Sequence, residues 1–191
     1  MDNKRKIEVD YYDEISIFLK DFFISHLPEN YTVHVLVGEI SSALRTLIAN
    51  GYEAGELLNK YSKEVHRLHL DISVVIENNN NSEFEVLIFE IKKTKSLGLQ
   101  QLSQLIGYCL VSGSEFGVLV NVDNSVSNEF SVILDADKNL TSITRIIDNE
   151  KTEHKLGVMI WNSRTKHIDY TEAGCVKNLN QLVELVIKSI N

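Results

Sequence analysis

Two apolar segments joined by a short polar turn constrain this chain more than anything else in it. Leu68, Leu70, Ile72, Val74 and Ile76 alternate with other residues, Asn78 to Ser82 is polar, and Phe84 to Ile91 is almost continuously apolar. Period-two alternation marks a strand with two unlike faces, and an unbroken apolar run of this length marks a strand covered on both. The pair reads as a hairpin. Residues 97 to 112 then return to helical period, with Leu102, Leu105, Ile106 and Cys109 on one stripe, and Phe116 to Val122 is a further buried strand. Strand, helix, strand requires a right-handed crossover to a parallel neighbour, so the expected class is α/β with a mixed central sheet flanked by helices.

The flanks add packing elements. Ile15, Phe18, Leu19, Phe22 and Phe23 recur at helical spacing between residues 11 and 27, and Pro28 ends that pattern. Leu36, Ile40, Ala43, Leu44, Leu47 and Ile48 suggest a second helix closing at Asn50-Gly51, although Tyr31 to Val37 could open as a strand. Residues 53 to 65 suggest a third, weaker helix. Phe130 to Leu134, Ile143 to Ile147, Leu156 to Trp161 and His167 to Tyr170 read as additional strands, and Leu179 to Ile190 as a closing helix. With 191 residues, one proline and no Gly/Ser-rich linker, a single domain spanning 1–191 is expected.

Composition removes several classes. Hydrophobic residues at 43% and charged residues at 24% suit a globular chain rather than a disordered one. No apolar run approaches the roughly 20 residues that cross a bilayer, and the basic start leads into acidic Glu8 to Glu14, so a soluble cytoplasmic protein without a membrane partner is expected. Two cysteines, Cys109 and Cys175, exclude a disulfide scaffold or a four-cysteine metal site and read as buried thiols. A net charge of −8 gives no diffuse attraction for polyphosphate, so any nucleic-acid contact must be local or metal-assisted.

Asp71 and Glu90 interrupt the two apolar strands, where a charge is costly unless it is paired or bound to a cation. Glu90 and Lys92 are two apart and share a face. A strand-end ion pair would explain them; so would a site. On the following helix Gln101, Gln104 and Tyr108 fall on one narrow face beside the apolar stripe, and Glu39 holds a similar margin of the expected second helix. Polar margins are ordinary on amphipathic helices, but together these residues could line one cleft.

The ordered set resembles the PD-(D/E)XK nuclease superfamily, in particular its RecB-like branch: a helix Glu, a strand Asp, a strand Glu-X-Lys, then a helix with Gln-X-X-X-Tyr. The matching positions are Glu39, Asp71, Glu90-Ile91-Lys92 and Gln104 to Tyr108, within a motif-bearing core of about 36–123 to which the N-terminal helix and the C-terminal strands and helix are additions. Leu70 stands where the family name has proline. The resemblance implies a restriction-endonuclease-like fold and a metal-dependent nuclease acting on nucleic acid, more readily DNA. It also implies Mg²⁺ or Mn²⁺ held by Asp71, Glu90, the Ile91 carbonyl and Glu39, since hard oxygen donors suit those ions. Glu39, Asp71, Glu90 and Lys92 would then be catalytic, and Gln104 and Tyr108 would position substrate.

Other readings stay open at this point. His66, His69 and Asp71 could form a zinc site, and Lys92, Lys93 and Lys95 could contact a phosphate backbone or be a solvated loop. A nuclease-like fold can bind nucleic acid or protein without cutting, and a purely structural interaction protein would bind neither metal nor nucleic acid. A homodimer would let two sites address two strands.

Overall fold

A computed structural model describes residues 7–39, 68–147 and 149–191. Among them seven strands form one mixed sheet: β1 (Tyr31–Glu39), β2 (His69–Asn78), β3 (Glu83–Lys92), β4 (Phe116–Val122), β5 (Ser142–Ile147), β6 (Glu150–Asn162) and β7 (His167–Gly174). The spatial order is β1-β2-β3-β4-β6-β5, and β7 pairs with the far end of the long β6. β1, β2 and β3 run antiparallel, whereas β3, β4 and β6 run parallel, so the expected hairpin and crossover are both present. Among the described residues four α-helices cover the sheet: α1 (Tyr12–His26), α2 (Leu99–Ser112), α3 (Asn128–Ala136) and α4 (Leu179–Ser189). No helix of the described residues is long and apolar enough to cross a membrane.

The alternation of β3 separates two cores. Leu87, Phe89 and Ile91 face the layer of α1 and α4, with Ile15, Leu19, Phe23, Leu182 and Val186. Val86 and Ile88 face α2 and α3, with Leu102, Leu105, Cys109 and Phe130. Because β3 and β4 are buried on both faces, they carry nearly continuous apolar sequence. The polar turn from Asn78 to Asn81 anchors the chain end: the side-chain amides of Asn78 and Asn81 both donate to the Ile190 carbonyl, at 3.1 and 3.0 Å, and tie it to the hairpin.

Three expectations are corrected. Leu36 to Glu39 is not the start of a helix but the end of β1, since Val33 and Leu36 supply opposite cores and the whole segment pairs with β2. The rest of that helix and the one expected at 53–65 lie outside the described residues. Phe130 to Leu134 is helix α3 rather than a strand: Ser127 caps it by accepting from the Phe130 amide at 3.1 Å, and Phe130 and Leu134 are both buried on one helical face. Of the thiols, Cys109 is buried, and burial pushes it up to about 12, but Cys175 is only half-buried.

The alternation of β2 is misleading in one place. Ile72, Val74 and Ile76 belong to the α1/α4 core, yet Leu70 and Leu68 belong to the other. The switch is a β-bulge: Val37 pairs with Ile72 but Gly38 pairs with Leu70, so Asp71 is an extra residue with no counterpart on β1. Gly38, opposite, sits at φ +83°, where glycine has no steric cost.

Candidate active site

The bulge places Asp71 beside the end of β3. Regular β2–β3 pairing ends at Ile72 and Phe89, and instead of another ladder bond the Ile91 amide donates to Asp71 Oδ2 at 2.7 Å. From the first turn of α1 the Tyr12 hydroxyl donates to Asp71 Oδ1 at 2.5 Å. Lys92 Nζ lies 2.5 Å from Glu90 Oε1 and 3.9 Å from Asp71 Oδ2. Asp71, Glu90, Ile91 and Lys92 are therefore brought together where β2 and β3 emerge from the core.

The electrostatics of this cluster are set by burial. Glu90's side chain is 1% exposed, against 17% for Asp71 and 16% for Lys92. Burial pushes the Glu90 carboxyl up to about 7 against the pull of Lys92, and the Asp71 charge adds to the rise. Burial works against the Lys92 ammonium too, but Glu90 and Asp71 outweigh it and hold Lys92 above the ordinary lysine value. Burial and Asp71 together keep the Tyr12 hydroxyl protonated well above the usual tyrosine range. Glu90 Oε2 is buried with no hydrogen-bond partner among the described residues. A buried carboxyl oxygen in that condition is satisfied by a proton or by a cation.

Other expected residues are placed differently. Glu39 ends β1 and pairs in register with His69, beside the bulge, and its side chain lies outside the described residues. His66 also lies outside them, and His69 is exposed on β2. Among the described residues no three His, Cys, Asp or Glu side chains cluster as a metal cage, and the zinc reading falls on His66, outside them. Gln104 and Tyr108 do meet, the Gln104 amide donating to the Tyr108 hydroxyl at 2.9 Å, but among the described residues neither is bonded to Asp71, Glu90 or Lys92. Gln101 accepts from the Gly98 amide at 3.1 Å and belongs to the start of α2. In the basic cluster, Lys93 pairs with Asp123 at 2.9 Å and its ammonium lies 4.9 Å from the centre of the Tyr11 ring, whereas Lys95 is exposed.

Two contributors are not evident from the sequence motifs. Tyr12 belongs to no motif, although its spacing to Ile15 and Leu19 sets it on the packing face of α1, where a hydroxyl needs a partner. Asn121 is fully buried in the otherwise apolar β4, and its amide donates to the Thr94 and Ser125 carbonyls at 3.1 and 3.3 Å. It fixes the loop that leaves β3 directly after Lys92. A lone polar residue in such a strand is the signal that could have found it.

No protein-family model and no curated protein matches the chain. Among solved structures it is similar to the pre-specific restriction endonuclease BsaWI in complex with DNA, at 11% identity and a TM-score of 0.40, over 61% of this chain and 40% of that one. The chain thus spans about two fifths of the length of that endonuclease.

Proposed function

We propose that the protein is a metal-dependent nuclease of the restriction-endonuclease-like kind that hydrolyses phosphodiester bonds of nucleic acid, with DNA the favoured substrate. The observation that carries this reading is the convergence of Asp71, at a bulge, with Glu90 and Lys92 at the end of the neighbouring strand. Two hard-oxygen carboxylates, one with an unpartnered buried oxygen, fit Mg²⁺ or Mn²⁺. Asp71, Glu90 and the Ile91 carbonyl would hold the ion, with Glu39 close by on β1. When bound, it supplies charge stabilisation at the phosphate and lowers the pKa of the water that attacks phosphorus.

The chain's own groups do the rest. Lys92, whose ammonium reaches both carboxylates, orients that water and offsets the charge that builds on the phosphate oxygens. Tyr12 and the Ile91 amide each hold one oxygen of Asp71 and fix its carboxylate plane. Tyr12→Phe should cost about 1.5–3 kcal/mol of stability, as for a hydrogen bond to a charged group, and lower turnover about tenfold through a misplaced carboxylate. Melting curves and cleavage rates measured side by side check both.

Gln104 and Tyr108 act as a bonded unit in this reading, positioning substrate from α2. Gln104→Ala and Tyr108→Phe should each lower turnover about tenfold, and the double variant little further, because coupled residues are not additive. Gln101→Ala should instead cost about 0.5–1 kcal/mol through the start of α2 and leave turnover alone. Wild-type turnover in the Gln104/Tyr108 double variant would remove both residues from the site.

A second reading, a nuclease-like module that binds without cutting, draws on Asp71, whose two oxygens both already accept a hydrogen bond. Each oxygen keeps a further lone pair, so ligation is not blocked. Cleavage of duplex DNA, single-stranded DNA and RNA in Mg²⁺, with a chelated control, decides between them. Chelator-sensitive cleavage supports the nuclease; no cleavage of any of the three with clean protein overturns it.

A further inference from the structure

Two strands away from Lys92 the same sheet face carries a recess that the proposed chemistry does not use. It has a volume of 330 Å³ and is lined by Asp123, Ile160, Asn162, Ser163 and Arg164. Lys92 is in register with Asn121 on β4, and Asn121 with Ile160 on β6, so the three form one row across parallel strands. Two strand spacings separate Lys92 from the recess by roughly 10 Å. The rise of about 3.4 Å per nucleotide along the helix axis is well short of the spacing between successive phosphates on the winding strand, so that span covers about one to two nucleotides.

The recess is built to present donors. Its one carboxylate is spent: Asp123 Oδ1 accepts from the Ser163 amide at 2.8 Å, and Oδ2 accepts from the Ser163 hydroxyl at 2.8 Å and from Lys93 Nζ at 2.9 Å. Asn162 Oδ1 is likewise occupied by the Arg164 and Thr165 amides, at 3.1 and 3.2 Å, which leaves the side-chain NH₂ of Asn162 as its available group. Along this edge Lys92 is paired with Glu90, Lys93 with Asp123 and Lys166 with Glu14. Among the described residues the exposed guanidinium of Arg164 has no hydrogen bond or ion pair. Asp123, directly after β4, and Lys166, in the β6–β7 turn, sit at φ +60° and +55°, a conformation uncommon outside glycine. A free guanidinium beside the side-chain NH₂ of Asn162, in a chain of net charge −8, suits one ligand class above others: a phosphate held by a bidentate fork.

We propose that this recess is a second phosphate site, in which Arg164 and Asn162 hold a backbone phosphate of the bound nucleic-acid strand about one to two nucleotides from the reacting one. This rests on the nuclease reading for its strand, and it assigns the β6–β7 turn to substrate binding. The site registers the strand on the sheet edge and reads no base.

The test uses the full chain, a fluorescent 20-base-pair DNA duplex and a single-stranded RNA of matching length, titrated under chelating conditions across a range of salt. Arg164→Ala should weaken binding of the preferred nucleic acid about tenfold and reduce the salt slope by about one phosphate contact. Arg164→Lys should recover part of the affinity, since the charge remains and the fork does not. In Mg²⁺ the alanine variant should raise KM much more than it lowers kcat, with an unchanged melting temperature. Dependence on Arg164 with only one of the two probes supports the site and identifies the strand chemistry. If Arg164→Ala binds and cleaves as wild type does, with the same salt slope, the second site is overturned and the nuclease reading stands. If wild type never cleaves but binds in an Arg164-dependent way, the nuclease reading falls and the phosphate site stands. Failure of wild type to bind either probe overturns the site.

Discussion

Glu90→Gln, Asp71→Asn and Lys92→Ala should each lower metal-dependent cleavage by about a thousandfold or more. Losing a carboxylate ligand forfeits charge stabilisation worth several kcal/mol in the transition state, and each 1.36 kcal/mol is about tenfold in rate. The effect on folding should run the other way for Glu90. Its carboxyl is pushed up to about 7, so in the metal-free protein near pH 8 the buried charge opposes folding, and the neutral amide removes it. Glu90→Gln should therefore melt slightly above wild type at pH 8 without metal, and lose the extra stability that Mg²⁺ gives wild type. Two fully active variants among the three would displace the catalytic centre from this cluster.

A larger pH effect should come from the opposite end of β3. Glu85 is buried near the β4 entrance, accepts from the Glu115 and Val86 amides at 3.2 Å each, and is pushed up to about 8 by burial and the neighbouring Glu115. A carboxyl raised in the folded state binds its proton more tightly there than in the unfolded chain. Its contribution to stability is then complete below about pH 4.5 and is lost as pH rises through about 8. Wild type should lose several kcal/mol from this group between about pH 5 and 9, because each tenfold gain in proton affinity on folding is worth about 1.36 kcal/mol. Glu85→Gln should flatten most of that slope and leave cleavage unaffected. Chemical denaturation at several pH values measures it, and an equally steep loss in the variant would assign the pH dependence to other groups.

Much of the fold is legible in the sequence because burial on both faces writes itself as apolar text. The β2–β3 hairpin, α2, β4, α1 and α4 follow from period and length alone. The misses have specific causes. Leu36 fits the helical period of the residues after it, but the segment it closes is β-branched and pairs with β2, so at residues 36 to 39 tertiary pairing overrides local period. Five residues from Phe130 to Leu134 are too few to separate helix from strand, and the Ser127 cap decides it. At the site, Asp71, Glu90 and Lys92 stand out because a charge in an apolar strand has to be explained. Tyr12 does not, because a tyrosine on a helix is unremarkable until its hydroxyl meets a carboxylate 59 positions away. The Arg164 turn is invisible for the same reason: the row from Lys92 through Asn121 to Ile160 exists only once three strands lie in register.

The bulge at Asp71 also bears on what a one-residue deletion would do to this sheet. Asp71 is the surplus residue in β2, and Leu70 and Ile72 on either side of it already face opposite cores. Deleting the single codon for Asp71 would leave Leu70 next to Ile72, the pairing with Gly38 and Val37 unbroken, and both hydrophobic layers filled as before. The cost of that deletion falls on polar groups instead: the Tyr12 hydroxyl and the buried Ile91 amide would each lose the carboxylate to which they donate. The bulge thus serves the hydrogen bonds of one carboxylate, while the packing of the two layers is indifferent to it.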